Sequence, residues 1–156
     1  MGFSPHSLFL HKRFYAFCSA VILCHSIHLR AGAEVNASIS GGLMHGMVLK
    51  RDGSLWATGL NSSGQLGYGW GLNVTTFNES VPAGVTAIAA GGSHTLFLKS
   101  DGSLWAMGKN SAGQLGDGTT TNRKAPVQIL SSGVSKVSAY WDSSAFVKTD
   151  GSLWAM

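Results

Sequence analysis

Beyond Cys24 the sequence contains no cysteine, and its two thiols, Cys18 and Cys24, both lie close to the N-terminus. The rest of the chain therefore cannot hold a disulfide or a cysteine-ligated metal. Proline is scarce, with 3 residues in 156, and charged residues make up only 12%. Little charge combined with 44% hydrophobic residues excludes a solvated, disordered chain. Catalytic signatures are missing as well: there is no phosphate-cradling loop, no His-Glu-x-x-His, no Gly-x-Ser-x-Gly and no Cys-x-x-Cys. Glycine, by contrast, is abundant at 21 residues and follows no collagen period. That composition predicts many tight turns between short strands, an all-β fold.

The net charge of +4 is unevenly placed, because Lys12, Arg13 and Arg30 precede the first acid, Glu34. The chain after residue 33 is nearly neutral and has no clustered Lys/Arg face for phosphate, so nucleic acid is not an expected partner. Met1 to Arg13 is weakly basic, Phe14 to Leu23 is almost wholly apolar, and Ala31-Gly32-Ala33 is a small-x-small step. This order predicts a helical secretory leader over residues 1–33 with cleavage after Ala33, since the apolar stretch is too short to span a bilayer stably. The protein is then expected to be secreted or held at the cell surface. Its only membrane contact would be an N-terminal anchor if the leader is retained.

From Ser38 the chain copies itself with a period of 49 residues. Asp52-Gly53-Ser54-Leu55-Trp56-Ala57 returns from Asp101 and again from Asp150, so Asp101-Gly102, Trp105, Asp150-Gly151 and Trp154 are repeat positions. Gly64-Gln65 returns as Gly113-Gln114, and Gly42 and His45 return as Gly91 and His94. A period near fifty with short strands is the pattern of propeller blades, each burying its faces against its neighbours. Val85 to Ala90 reads as a first strand, and Thr95 to Lys99 with Ser103 to Met107 as a hairpin whose Asp101-Gly102 turn supplies positive φ. Pro126 to Ile129 reads as a short strand led by its proline. The repeats run over about 38–85, 86–134 and 135–156, the last stopping inside a hairpin. The expectation is an open, partial propeller belonging to a longer ring, whose missing blades come from the rest of a longer chain or from another chain.

The run Gly91-Gly92-Ser93-His94-Thr95, with Leu98-Lys99, Asp101-Gly102, Leu104-Trp105, Gly108, Asn110, Gly113-Gln114-Leu115-Gly116 and Arg123-Lys124-x-Pro126-Val127, resembles the RCC1 repeat. The resemblance implies four-stranded antiparallel blades and a non-catalytic scaffold that binds protein partners. The alternative it implies is guanine-nucleotide exchange on a small GTPase, the activity of the name-giving member. The departures are local: Trp70 to Phe77 replaces the Thr-rich loop and the Arg-x-x-Pro-Val ending, and Tyr140, Trp141 and Ser143 stand where Gly91, Gly92 and His94 stood.

Each chemically suggestive residue has a structural reading. His45 and His94 occupy equivalent places in adjacent blades, where a histidine can hydrogen-bond backbone across the blade gap. Trp56, Trp105 and Trp154 read as blade core, Asp52, Asp101 and Asp150 as turn formers, and Gln65 and Gln114 as ties to loop backbone. Trp70 and Trp141 fall outside the repeated Leu-Trp-Ala position and are the candidate partner contacts. No cofactor or metal is expected. Asn61-Ser62-Ser63, Asn73-Val74-Thr75 and Asn78-Glu79-Ser80 match the glycosylation acceptor pattern.

Overall fold

The computed structural model describes residues 38–156, and the leader assigned to residues 1–33 lies outside them. Among the described residues every helix or strand element is a strand. The first antiparallel sheet runs β1 (Ser38–Gly41), β2 (His45–Leu49), β3 (Leu55–Gly59), β4 (Val74–Val81). The second repeats it as β5 (Val85–Ala90), β6 (His94–Lys99), β7 (Leu104–Gly108), β8 (Arg123–Leu130). A third holds β9 (Val134–Tyr140), β10 (Ser143–Lys148) and β11 (Leu153–Ala155). β1, β5 and β9 approach one another along the inner edge, leaving β4 and β8 outermost. The result is three blades of an unclosed propeller.

The hairpin turns explain why Asp-Gly recurs, though not in the expected way. Lys50 N donates to Ser54 O at 2.9 Å and Gly53 N to Lys50 O at 3.0 Å. Positive φ is confined to the glycine, at 79° for Gly53, 77° for Gly102 and 86° for Gly151. The aspartate acts through its side chain: Asp52 Oδ1 accepts from Ser54 N at 2.9 Å and from Ser54 Oγ at 2.6 Å. Asp101 and Asp150 do the same with Ser103 and Ser152. The serine hydroxyl, then its amide, hold each carboxyl below the usual carboxylate range.

The tryptophan expectation needs correction. Leu55, Ala57, Leu104 and Ala106, the neighbours of the tryptophans in β3 and β7, are fully buried, whereas Trp56 and Trp105 are half-buried and Trp154 is 49% exposed. Both faces of a blade can be covered by neighbours, so strand alternation separates two interfaces here and not inside from outside. Each indole Nε1 donates to the serine two residues before it, at 2.9, 2.8 and 3.0 Å. A lysine lies over each ring: Lys50 on Trp56, Lys99 on Trp105, Lys148 on Trp154, at 3.4, 4.4 and 4.3 Å from the centroids.

Two apolar clusters fill the blade gaps. Met47, Leu49, Leu55 and Ala57 of blade 1 meet Phe97 and Met107 of blade 2. Leu96, Leu98, Leu104 and Ala106 from the other side of blade 2 meet Val134 and Phe146 of blade 3. Leu104 is fully buried between two sheets, so Leu104→Ala leaves a cavity that little can refill. The expected loss is about 2–5 kcal/mol, read from the urea midpoint; a loss under about 0.5 kcal/mol, the range of surface substitutions, would mean the gap is not packed.

The outer strands differ most from expectation. β8 begins at Arg123 and places Pro126 inside, where the β7–β8 register is irregular between Ala106 and Gly108. An edge strand at an irregularity tolerates the missing N–H. β4 occupies the equivalent span of blade 1 although the Arg-x-x-Pro-Val ending is gone.

Candidate functional site

The turns β1–β2, β5–β6 and β9–β10 and the long loops β3–β4 and β7–β8 all lie at one end of the blades, because the strands alternate in direction. Their backbones are laced together: Leu43 N donates to Gly92 O at 3.1 Å, and Gly92 N to Trp141 O at 2.8 Å. Trp141 has φ 46°, the only positive φ outside glycine among the described residues. A bulky residue held there stores strain, and its side chain is 55% exposed. Leu43, Met44 and Tyr140 are exposed beside it, and an ideal Cβ on Gly92 would lie 3.4 Å from Leu43 Cδ1 and 3.4 Å from Trp141 Cα. Gly92 thus lets the apolar residues of blades 1 and 3 approach each other across blade 2. Trp70, 53% exposed, stacks on Tyr68 in the β3–β4 loop at the same end, with ring centroids 5.5 Å apart. Tyr68 lines a shallow recess with Trp70, Val74, Asn78 and Glu79. Its hydroxyl donates its one proton to Ala57 O at 2.7 Å, with Asn78 O a second acceptor within reach at 3.0 Å, and burial pushes its pKa up to about 12.

Beneath this end sits a buried relay that occurs twice. Thr95 Oγ1 donates to Gln65 O at 2.9 Å, and Ser144 Oγ to Gln114 O at 2.7 Å. With its proton committed to a carbonyl, each hydroxyl must accept from the histidine facing it. His45 Nε2 therefore donates to Thr95 at 3.1 Å, and His94 Nε2 to Ser144 at 2.8 Å. The partner across the gap is a side-chain hydroxyl, and backbone is reached only through it. Each imidazole is neutral with its proton on Nε2, and its Nδ1 has no partner. Burial first, then the neighbouring His94, lowers His45 to about 4. For His94 burial dominates, Asp142 opposes it and Lys109 adds to it, giving about 4. A histidine that already carries its proton on the nitrogen facing Ser144 cannot take one from that serine, so this pair is not a base and nucleophile.

Gln65 and Gln114 tie loop backbone through Oε1, to Ser63 N at 3.0 Å and Ala112 N at 2.9 Å. Gly64 and Gly113 precede them with φ 90° and 79°. Gln114 Nε2 also reaches Asp142 Oδ1 at 3.0 Å, and Asp142 pairs with Lys109 at 3.0 Å. Asp142 was not visible as a site residue, since Ser93 holds its place in blade 2 and leaves Gln65 Nε2 unpartnered. The loop pegs Asn61 and Asn110 were also missed, although the strict repeat of Asn-Ser-x-Gly-Gln signals them. Both are fully buried; their Oδ1 atoms accept from Leu66 N and Leu115 N at 2.9 Å. Asp117 braces the second loop. Burial pushes its carboxyl up, but hydrogen bonds from the Thr119 hydroxyl, Arg123, the Thr119 amide and Asn110 outweigh it and hold it at about 2.

No cluster of three potential metal ligands occurs among the described residues. The structure brings Trp70 and Trp141 to one end, and the Asp-Gly turns with Asp52, Asp101 and Asp150 to the other.

No curated protein matches the chain in sequence. Among solved structures it is similar to human WBSCR16, at 27% identity and TM-score 0.66 over 78% of this chain and 34% of that one. It is also similar to yeast RCC1 (Prp20) in the crystal structure with Kap60, at 22% identity and TM-score 0.64 over 81% and 30% of the two chains. A second structure of Prp20p from Saccharomyces cerevisiae, described with its binding properties to Gsp1p and histones, matches at 21% identity and TM-score 0.63 over 79% and 31%. The chain thus spans about a third of the length of these structures. Models of the regulator of chromosome condensation (RCC1) repeat match residues 37–65 and 85–114, and a second such model matches 101–147. With the same repeat recognised across most of its propeller region and built as successive blades, the chain belongs to the RCC1 repeat family.

Proposed function

We propose that this chain is a non-catalytic, protein-binding propeller scaffold of an exported or cell-surface protein, and that the laced loop end makes the contact. The observation that carries this is the row of exposed Leu43, Met44, Tyr140 and Trp141, tied by backbone bonds across three blades around Gly92. Rigid, exposed aromatics on loops over a sheet scaffold are efficient contact residues, because little side-chain entropy remains to be lost. Asp142, next to Trp141 in the chain, is already paired with Lys109, which suits an apolar partner surface. Yeast Prp20 is described with protein partners, and a scaffold role here agrees with that class of use. Export rests on the leader read over residues 1–33.

A photo-crosslinking residue at Tyr140 is expected to capture a partner in the source cells, and the same residue at Arg51, at the opposite end, is not. Trp141→Ala should reduce that capture at least about tenfold with the unfolding midpoint within about 0.5 kcal/mol of the parent. Equal capture from both ends removes the assignment. N-terminal sequencing of secreted protein tests export: a first residue of Glu34 supports it, and retention of an intact leader in the cytosol favours the exchange-factor alternative.

A further inference from the structure

The β3–β4 corner of blade 1 and the β7–β8 corner of blade 2 are the same place in two repeats, and they are filled differently. In blade 2 the chain supplies its own cation. Arg123, the first residue of β8, donates through Nε to Asp117 Oδ2 at 2.6 Å and through Nη2 to Thr119 Oγ1 at 3.3 Å. Forty-nine residues earlier, Tyr68, Trp70 and Val74 stand in the places of Asp117, Thr119 and Arg123. The register agrees, since Val74 pairs with Gly59 as Arg123 pairs with Gly108. Blade 1 thus lacks the guanidinium, and a recess of about 310 Å³ lies there, lined by Tyr68, Trp70, Val74, Asn78 and Glu79.

The groups around this recess are those that hold a flat cation. Glu79 pairs with Trp56 where the neutral Gln128 pairs with Trp105. Its side chain is exposed, and its carboxylate has no hydrogen bond or ion pair among the described residues. Asn78 Nδ2 donates to Thr76 O at 3.3 Å, which leaves Asn78 Oδ1 as a second acceptor. Tyr68, its proton committed to Ala57 O, stacks on Trp70 with the ring planes 29° apart, and Trp70 keeps 53% of its surface open to solvent. A guanidinium suits this set better than an ammonium. It is planar and weakly hydrated, so it can lie on an indole while its N–H groups fork onto a carboxylate. The volume is at the small end for ligand pockets, which admits one side chain and not a large cofactor. Lys124 approaches the same loop at Gly71, where a Cβ would lie 3.9 Å from its Nζ, but it does not line the recess.

We propose that the β3–β4 recess is a guanidinium site, filled by an arginine side chain of a protein partner much as Arg123 fills the corner of blade 2. The partner as source rests on the scaffold reading above, whereas the chemistry of the recess does not. The partner surface then carries a basic anchor as well as the apolar patch that meets Trp141.

The test is a titration of the isotopically labelled full chain with N-acetylarginine methylamide, on protein made without glycosylation because Asn78 lines the recess. The amide shifts of Asn78 and Glu79 and the indole N–H of Trp70 report binding. Saturable shifts are expected, with a Kd on the order of 10 mM. The citrulline analogue, alike in shape but neutral, should give none in that range, and the lysine analogue should bind at least about threefold more weakly. Glu79→Gln should weaken arginine binding about threefold, and Trp70→Ala, read through the amides, by a similar factor. Both change exposed side chains, so the fold is retained. Val74→Arg places a guanidinium of the chain's own at the site and should weaken binding at least about fivefold by occupying it. No saturable shift, an equal response to the citrulline analogue, or parent-like binding by Glu79→Gln would each overturn the site. The titration uses no partner, so its failure is distinct from a failure of capture at Tyr140, which removes the scaffold reading. Capture that falls about threefold in Glu79→Gln assigns the arginine to the partner, and undiminished capture overturns that source.

Discussion

Acidification from pH 7 to pH 4 is expected to strip this fold of most of its stability. His45 and His94 have pKa values of about 4 in the folded chain against an ordinary 6.5. Both are lowered, so the unfolded chain binds more protons throughout that interval. Their neutral form is fully compatible with the fold above 6.5, and the loss accumulates as pH falls from 6.5 to about 4. Each histidine can contribute on the order of 3 kcal/mol to the loss, a large share of the stability of any domain this size. Asp117 acts in a separate window: its carboxyl is lowered to about 2, so its contribution holds above 3.8 and is lost only below that. Urea unfolding followed by tryptophan fluorescence at pH 7.5, 6, 5 and 4.5 reads the slope. His94→Gln should be less stable at pH 7.5 yet show about half the parent's fall by pH 4.5. A midpoint that does not move between pH 7.5 and 4.5 would mean that the imidazoles are not held neutral.

Gly91→Ala is expected to be about as damaging as protonating one of these histidines, although it adds one methyl group. An ideal Cβ there would lie 2.1 Å from His94 Cε1 and 2.6 Å from its Nδ1. The ring cannot yield without breaking its bond to Ser144, so the cost combines overpacking with a broken relay, on the order of 3 kcal/mol. Gly42 meets His45 in the same way, with the would-be Cβ 2.2 Å from its Cε1. Blade 3 shows the converse, since Tyr140 replaces the glycine where Ser143 replaces the histidine. A double-mutant cycle of Gly91→Ala with His94→Ser should therefore show a coupling of about 1–2 kcal/mol, the second change relieving the first. Simple additivity would mean that the methyl clashes with something other than the ring.

How far the sequence carries the fold depends on which element is considered. The hairpins β2–β3, β6–β7 and β10–β11 follow from Asp-Gly between strand-forming runs, because turn and pairing are local in sequence. β4 does not follow. It is an outer edge strand held by main-chain bonds to β3 and largely exposed, so its side chains are loosely constrained and the motif can vanish while the strand persists. The tryptophans were read as core because strand alternation puts them on one face. With neighbours on both sides of a blade, alternation shows only which neighbour a residue faces, and Leu104 rather than Trp105 has the drier side. Candidate contacts fare similarly. The irregular places of Trp70 and Trp141 pointed to their exposed loops, but the lacing through Gly92 and the His-to-hydroxyl step of fifty residues join different blades. Such links can be read only once the order of the blades is known.

The fully buried Asn61 has a consequence for where the molecule can be made. Its Nδ2 donates to Trp70 O at 2.7 Å and its Oδ1 accepts from Leu66 N, yet Asn61-Ser62-Ser63 is also an oligosaccharide acceptor. A sugar on that nitrogen would have to occupy the interior of the β3–β4 loop, so a folded molecule can carry glycan on the exposed Asn73 or Asn78 but not there. In a glycosylating host, every chain modified at Asn61 is lost to folding. Ser63→Ala silences the acceptor at no structural cost, for Ala112 already occupies the same place in the second blade.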